Sequence, residues 1–277
     1  VGAEIWRMSA ETFEREPCFD LPPGIGPASG IRTVSSDGTR FLTGCRPGPG
    51  RFGVAVVDIA TRSARVVYEH PDARNPHEQY SRTPSRKVMV QVNDGIETDR
   101  DGNLVKLVGE NGASLHVMND DGTGRVKLPV GSASLERVQG HQCWVGGRDM
   151  VITTLHRRAG PAAPWVQDRL VTVVPGEDRC RVVGEGPGFT HVHTSPDGRF
   201  WVADCNRTAD IFLGSIDGGR MRRFCASGAS FGAAQYTHPH PFFLGDGRGI
   251  GWNSDATGVP QVWCARTSFF LAHRLVQ

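Results

Sequence analysis

The stretch QYTHPHPFF, residues 235–243, places Gln235, His238 and His240 within six residues of a chain that has ten histidines in all. Imidazole nitrogens and an amide oxygen are metal-ligating groups. In an extended segment residues two apart point the same way, so His238 and His240 can aim two imidazoles at one point, and Pro239 and Pro241 favour that extended backbone. Gln235 can add an oxygen, and a further imidazole would come from FTHVHTSPDG, where His191 or His193 stands. Three nitrogens and an oxygen suit a borderline divalent ion such as Mn²⁺, Fe²⁺, Ni²⁺ or Zn²⁺ and argue against Ca²⁺. With no carboxylate among these donors, the ion keeps its full charge and would attract an anionic group on a substrate.

Side chains this far apart in sequence need a scaffold that returns repeatedly to one place. The chain supplies a repeat: a polar turn, usually D-G, followed by a short apolar run. The instances are SSDGTRFLTGC at 35–45, TPSRKVMVQVND at 83–94, VGGRDMVITTL at 145–155, SPDGRFWVADC at 195–205 and LGDGRGIGWNSD at 244–255. A second alternating run with its own hairpin turn follows each one. Small antiparallel sheets recurring about every fifty residues are the blades of a β-propeller, so the sequence predicts an all-β propeller with five countable repeats. It reads as one domain over residues 1–277, with AEIWRMS pairing with the last unit to close a ring and SAETFERE at 9–16 as the best helix candidate. His77 in NPHEQY, His141 in GHQCW, His191, His193, His238 and His240 all stand a few residues before the turn of their own repeat. Four repeats therefore offer an imidazole at an equivalent position.

Composition narrows the partners. Thirty-one Lys and Arg against 29 Asp and Glu give a net charge of +2, which exerts no broad pull on nucleic acid or a membrane surface, so an anionic ligand would be recognised locally. No apolar run of about eighteen residues is present, and the start VGAEIWRMSAETFEREP lacks the regions of a signal peptide. Seven cysteines without a C-x-x-C pair read as reduced, mostly buried thiols, which leans towards a cytoplasmic location. GIGPASG at 24–30 is glycine-rich but precedes no helical pattern, which argues against a phosphate loop. Asp121 and Asp197 read as turn formers, and Trp144, Trp201, Trp252 and Trp263 as core.

QYTHPHPFF with WNSDATGVPQVW, GHQCW, THVHTSPDG and NPHEQY together resemble the oligogalacturonate lyases, propeller enzymes of pectin breakdown. The similarity runs over residues 70–266 and is thin before that. The resemblance implies Gln235, His238, His240 and His191 as metal ligands, Mn²⁺ (or another divalent transition metal) as the ion, and His141 as the base of a β-elimination on an oligogalacturonide or related uronate oligosaccharide. The family has seven blades where five repeats are countable here, and Ser114 stands where its assisting arginine would be. Arg82, Arg125 and Arg137 are the candidate replacements, Arg137 being four residues before His141. His77, Arg82, His193 and Trp144 are the expected substrate contacts. The alternative from another class is a noncatalytic TolB-like propeller that serves as a binding or scaffold module.

Overall fold

A D-G pair between two apolar runs forces a tight reversal, because the aspartate can cap the turn and the glycine can take a backbone conformation closed to other residues. In the first repeat Asp37 Oδ1 accepts the Ser35 hydroxyl at 2.7 Å, the Thr39 backbone N–H at 3.1 Å and the Thr39 hydroxyl at 2.8 Å, and Gly38 sits at φ 72°. These donors, joined by Arg86, hold the Asp37 carboxyl far below the usual carboxylate range. Asp197 with Gly198 and Asp246 with Gly247 repeat the device, as do Asp121 and Gly122, so Asp121 and Asp197 are the turn formers that the sequence predicts.

The computed structural model describes residues 4–22, 25, 31, 33–100, 104–110, 112–131, 135–138 and 140–267. Apart from Ile25, GIGPASG lies outside the described residues. Two compact units form, one from Val1–Glu110 with Ser114–Lys127, the other from Asn111–Ala113 with Leu128–Gln277.

In the first unit β1 (Glu4–Met8) and β2 (Arg15–Asp20) make an antiparallel hairpin. β3 (Arg40–Gly48), β4 (Arg51–Asp58) and β5 (Ser63–Glu69) form a three-stranded meander. β6 (Gln79–Tyr80) and β7 (Lys87–Val92) are followed by a separate hairpin of β8 (Glu97–Thr98) and β9 (Leu104–Lys106). β10 (Ser114–Asn119) and β11 (Val126–Lys127) then complete a sheet of order β11-β10-β7-β6. Leu42, Val54 and Val56 pack with Val88, Val90 and Met118 between these two sheets. Two expectations are corrected. Among the described residues the first strand pairs with β2, where the last repeat was the expected partner. SAETFERE is no helix: the Ser9 hydroxyl accepts the Glu11 and Thr12 N–H groups as a helix cap would, but Phe13 turns to φ 58° and the chain reverses into β2.

Among the described residues the second unit holds three sheets in chain order. β12 (Glu136–Arg137) and β13 (Gln142–Trp144) both pair with β14 (Val151–Arg157), which continues to β15 (Val166–Val173) and β16 (Arg181–Glu185). β17 (Phe189–Thr194), β18 (Phe200–Cys205), β19 (Asp210–Ser215) and β20 (Met221–Ala226) form a four-stranded meander, and β21 (Phe242–Phe243), β22 (Gly249–Ser254) and β23 (Gln261–Arg266) a three-stranded one. Successive antiparallel meanders of this size are propeller blades, the class that the repeats predict.

β18 is buried on both faces. Trp201 and Ala203 join Phe189 and Leu170 on one side, while Phe200 and Val202 meet Phe243, Ile250 and Trp252 on the other. The Trp201 indole, fully enclosed, lies against Gly214 of its own sheet and Gly184 of β16, where any Cβ would overlap the ring. Trp201→Ala is expected to cost about 3–5 kcal/mol of stability, and Gly214→Ala to be destabilising through overpacking; chemical denaturation of the two variants checks both.

Trp144, Trp201 and Trp252 are buried as expected, but Trp263 is 40% exposed, because β23 is the edge of its sheet. All seven cysteines are free; Cys45, Cys143 and Cys205 are buried and Cys264 is exposed. Among the described residues no helix is long and apolar enough to cross a membrane.

Candidate metal centre and active site

The site begins with a strand irregularity. Between Phe189 and Val192, β17 has one residue more than β18, a bulge that takes His191 off the ladder. Asp204, on the opposite strand and fully buried, replaces the lost partner: its Oδ1 accepts the His191 backbone N–H at 2.8 Å. Its Oδ2 accepts the ring Nδ1–H of the same histidine at 2.7 Å, and a carboxylate can only accept, so the lone pair of His191 is on Nε2.

The two other imidazoles arrive through a 3₁₀ turn, Gln235–Thr237, closed by the Thr237 hydroxyl donating to the Ala234 carbonyl at 2.6 Å. This corrects the expectation of a continuously extended segment. His238 is extended at φ −90°, ψ 145°, but His240 adopts φ 43°, so alternation along a strand is not what aims the rings. The backbone reversal at His240 does so, fixed where its N–H donates to Asp204 Oδ2 at 3.2 Å. Ring centroids of His191 and His240 are 3.6 Å apart, and those of His191 and His238 5.7 Å. One nitrogen from each of the three lies within 4.8 Å of the others.

These donors fit a transition-metal ion. His238 Nε2 donates to the Gly232 carbonyl at 2.8 Å, which leaves Nδ1 with a lone pair, and that buried atom has no hydrogen-bond partner. An orphaned imidazole nitrogen facing two others is what a borderline cation would satisfy. The Gln235 amide oxygen is 3.1 Å from His240 Nε2, so it can serve as the oxygen donor. Burial first, and then His191 alongside, push the His240 imidazole down to about 4, which keeps it neutral and ligand-competent near neutral pH. The Phe231 ring, at φ 52°, stacks on His238 at 4.4 Å and walls the cluster on one side.

His141 stands beside the cluster. Gly140, at φ 87°, turns the chain into it, and the His141 carbonyl accepts the Thr154 N–H at 3.1 Å and the Thr153 hydroxyl at 3.3 Å. Its ring meets that of His191 edge to face at 4.6 Å. Thr194 ties the two strands together, donating to the Trp144 carbonyl at 2.9 Å and accepting from Gly146 N–H at 3.0 Å.

The remaining expected site residues have contacts of their own. Trp144 is 1% exposed, on the inward face of β13, and so cannot be a substrate contact. His193 Nδ1 accepts the Phe243 N–H at 3.2 Å and thereby secures β21. The Arg137 guanidinium lies over the Trp165 indole at 4.3 Å, with Arg158 also on that ring at 4.4 Å. His77, Arg82, Ser114 and Arg125 belong to the first unit. There, Asn75 Nδ2 is 2.9 Å from His77 Nε2, Ser114 Oγ is 3.2 Å from His116 Nε2, Arg125 lies over Tyr68 at 5.6 Å, and Arg82 is exposed. Sequence reasoning missed Asp204 and Phe231. A lone acid in the apolar run FWVADC was the available signal for Asp204.

Arg137 also acts on His156, its partner across β12 and β14. Burial, with Arg137 next, pushes this imidazole down to about 4. The unfolded chain takes up a proton there below about pH 6.5 while the folded chain does not, so stability is expected to fall as pH drops from about 6.5 towards 4. One such proton gives a slope of up to about 1.4 kcal/mol per pH unit, and His156→Leu should flatten it in urea denaturation across that window.

A cavity of about 560 Å³ lined by Leu244, Asp246, Arg248, Cys264 and Arg266 adjoins β22 and β23 and includes none of the histidines among the described residues.

No family model matches the chain, and no curated protein matches its sequence. Solved structures do match. An oligogalacturonate lyase in complex with manganese superposes with a TM-score of 0.74 at 19% identity, covering 96% of this chain and 72% of that one. This chain has the fold of the oligogalacturonate lyases. A second such lyase, from Vibrio parahaemolyticus, gives a TM-score of 0.73 at 16% identity with the same coverage of both chains. The β-propeller domain of the Trilobed protease from Pyrococcus furiosus matches at 0.58 and 12% identity over 95% of this chain and 74% of its own. The likeness to the oligogalacturonate lyase fold thus extends over nearly the whole of this chain, including the three blades that carry His141, His191, His238 and His240.

Proposed function

We propose that this chain is a divalent-metal-dependent lyase that cleaves an oligogalacturonide or related uronate oligosaccharide by β-elimination. The observation that carries the reading is the convergence of His191, His238 and His240 with Gln235, and with His141 against the same cluster, on a propeller of the oligogalacturonate lyase fold. His191, His238, His240 and Gln235 would hold the ion. A bound Mn²⁺ or similar ion supplies Lewis-acid neutralisation of the uronate carboxylate, which acidifies the neighbouring C5–H.

His141 is the base. Its imidazole takes the C5 proton, the C–H electrons become the C4–C5 double bond, and the glycosidic C4–O bond breaks with its electron pair leaving on oxygen, which takes a proton from water. Phe231 shields one side of the cluster from water, so that the charges there are weakly screened.

The test is a continuous ultraviolet assay of the conjugated double bond with saturated trigalacturonate, together with product analysis. Turnover that EDTA stops and Mn²⁺ restores supports the reading. A protein that binds Mn²⁺ yet turns over no uronate oligosaccharide would exclude the lyase and favour the binding module.

A further inference from the structure

The Asp204 carboxylate reaches two of the histidines at once. It stands at the end of β18, on the face shared with Phe200 and Val202, and none of its surface is exposed. Each carboxylate oxygen is used. Oδ1 takes the His191 N–H that the bulge in β17 leaves without a ladder partner, and Oδ2 takes both the His191 Nδ1–H and the backbone N–H of His240. A buried acid in an apolar strand is costly unless such donors surround it.

We propose that Asp204 is the positioning residue of the metal centre, a clamp that sets both the tautomer of His191 and the spacing of His191 from His240. This rests on the metal reading given above. By accepting at Nδ1 it forces the His191 proton onto that atom and leaves Nε2 as the donor, so the ring is ready for a cation before one arrives. By accepting the His240 N–H as well, it ties the chain reversal at φ 43° to β18.

Asp204→Asn isolates these roles because the amide has the same shape but only one accepting oxygen. If that oxygen stays on the His191 backbone N–H, the amide NH₂ faces the ring, and the ring must carry its proton on Nε2, where it blocks ligation. If the amide is flipped, its NH₂ opposes the His191 N–H. No orientation satisfies all three donors.

Long-range proton–nitrogen NMR of the metal-free wild-type protein, with His191 assigned by loss of its signals in His191→Gln, reads the tautomer directly. A proton on Nδ1 is expected, and a proton on Nε2 overturns the proposal whether or not Asp204→Asn folds. Titration with Mn²⁺ alone should then show Asp204→Asn binding about 10- to 100-fold more weakly than wild type. Equal affinity overturns the clamp. Wild-type protein that binds no Mn²⁺ overturns the metal reading instead, a failure the tautomer measurement distinguishes from failure of the clamp.

Discussion

Replacing His191 by alanine is expected to abolish Mn²⁺ binding and, at the same time, to destabilise the metal-free protein by about 3 kcal/mol. The two losses have separate origins. The first follows from removing one of three converging nitrogens, and an affinity at least about 100-fold weaker is expected, since even residues behind the ligands are worth 10- to 100-fold. The second follows from Asp204, which would keep its charge in a fully buried position after losing the ring N–H that it accepts at 2.7 Å. His238→Ala makes the contrast. It should weaken metal binding comparably, yet cost little stability, because its ring donates to a backbone carbonyl at the exposed Gly232 and leaves no buried charge behind. Calorimetric Mn²⁺ titration and chemical denaturation of both variants check this. Equal stability losses in the two would show that Asp204 does not depend on the His191 ring.

The second large effect is on turnover. His141→Ala is expected to lower kcat on trigalacturonate by about 10²- to 10⁴-fold, the contribution of a positioned general base, while Mn²⁺ affinity stays within a few-fold of wild type. His141 packs edge-on to His191 at 4.6 Å and stands just before β13, whereas the three converging rings come from β17 and the segment after the 3₁₀ turn, so its loss leaves those donors in place. A variant that binds Mn²⁺ normally and also turns over normally would remove His141 from the chemistry. One that loses Mn²⁺ would make it a ligand. The comparison is informative only with metal affinity measured on the same preparation.

Much of the scaffold was legible because its signals are local. The turns at Asp37, Asp197 and Asp246 are closed by a side chain bonding two residues along, and the apolar runs after the five turn phrases became β3, β7, β14, β18 and β22. The histidines were legible by type and spacing. Their mode of convergence was not: a left-handed backbone at His240 follows from an acceptor on Asp204, 36 residues away, and no periodicity encodes that. Asp204 itself was hidden for the same reason, since its role depends on a bulge in the partner strand. Ser9 began a helix cap that Phe13 ended within one turn, and the last residues of the segment expected to be helical, Arg15 and Glu16, open β2 and pair with β1. Trp144 and Trp263 differ in exposure although both sit in strand-like phrases, because exposure depends on which sheet face is covered and which strand is the edge.

The Thr194 hydroxyl, bonded to the Trp144 carbonyl and to the Gly146 N–H, has a kinetic meaning. It lies three residues from His191, and its acceptor lies three residues from His141, so the proposed base and this proposed ligand ride on segments that are fastened together at one oxygen. A chain built this way has no hinge between those two groups. If the chain is the lyase proposed above, their separation would not have to be re-established in each catalytic cycle, the entropy of aligning them would be spent once during folding, and substrate arrival would be followed by proton transfer without an intervening closure step.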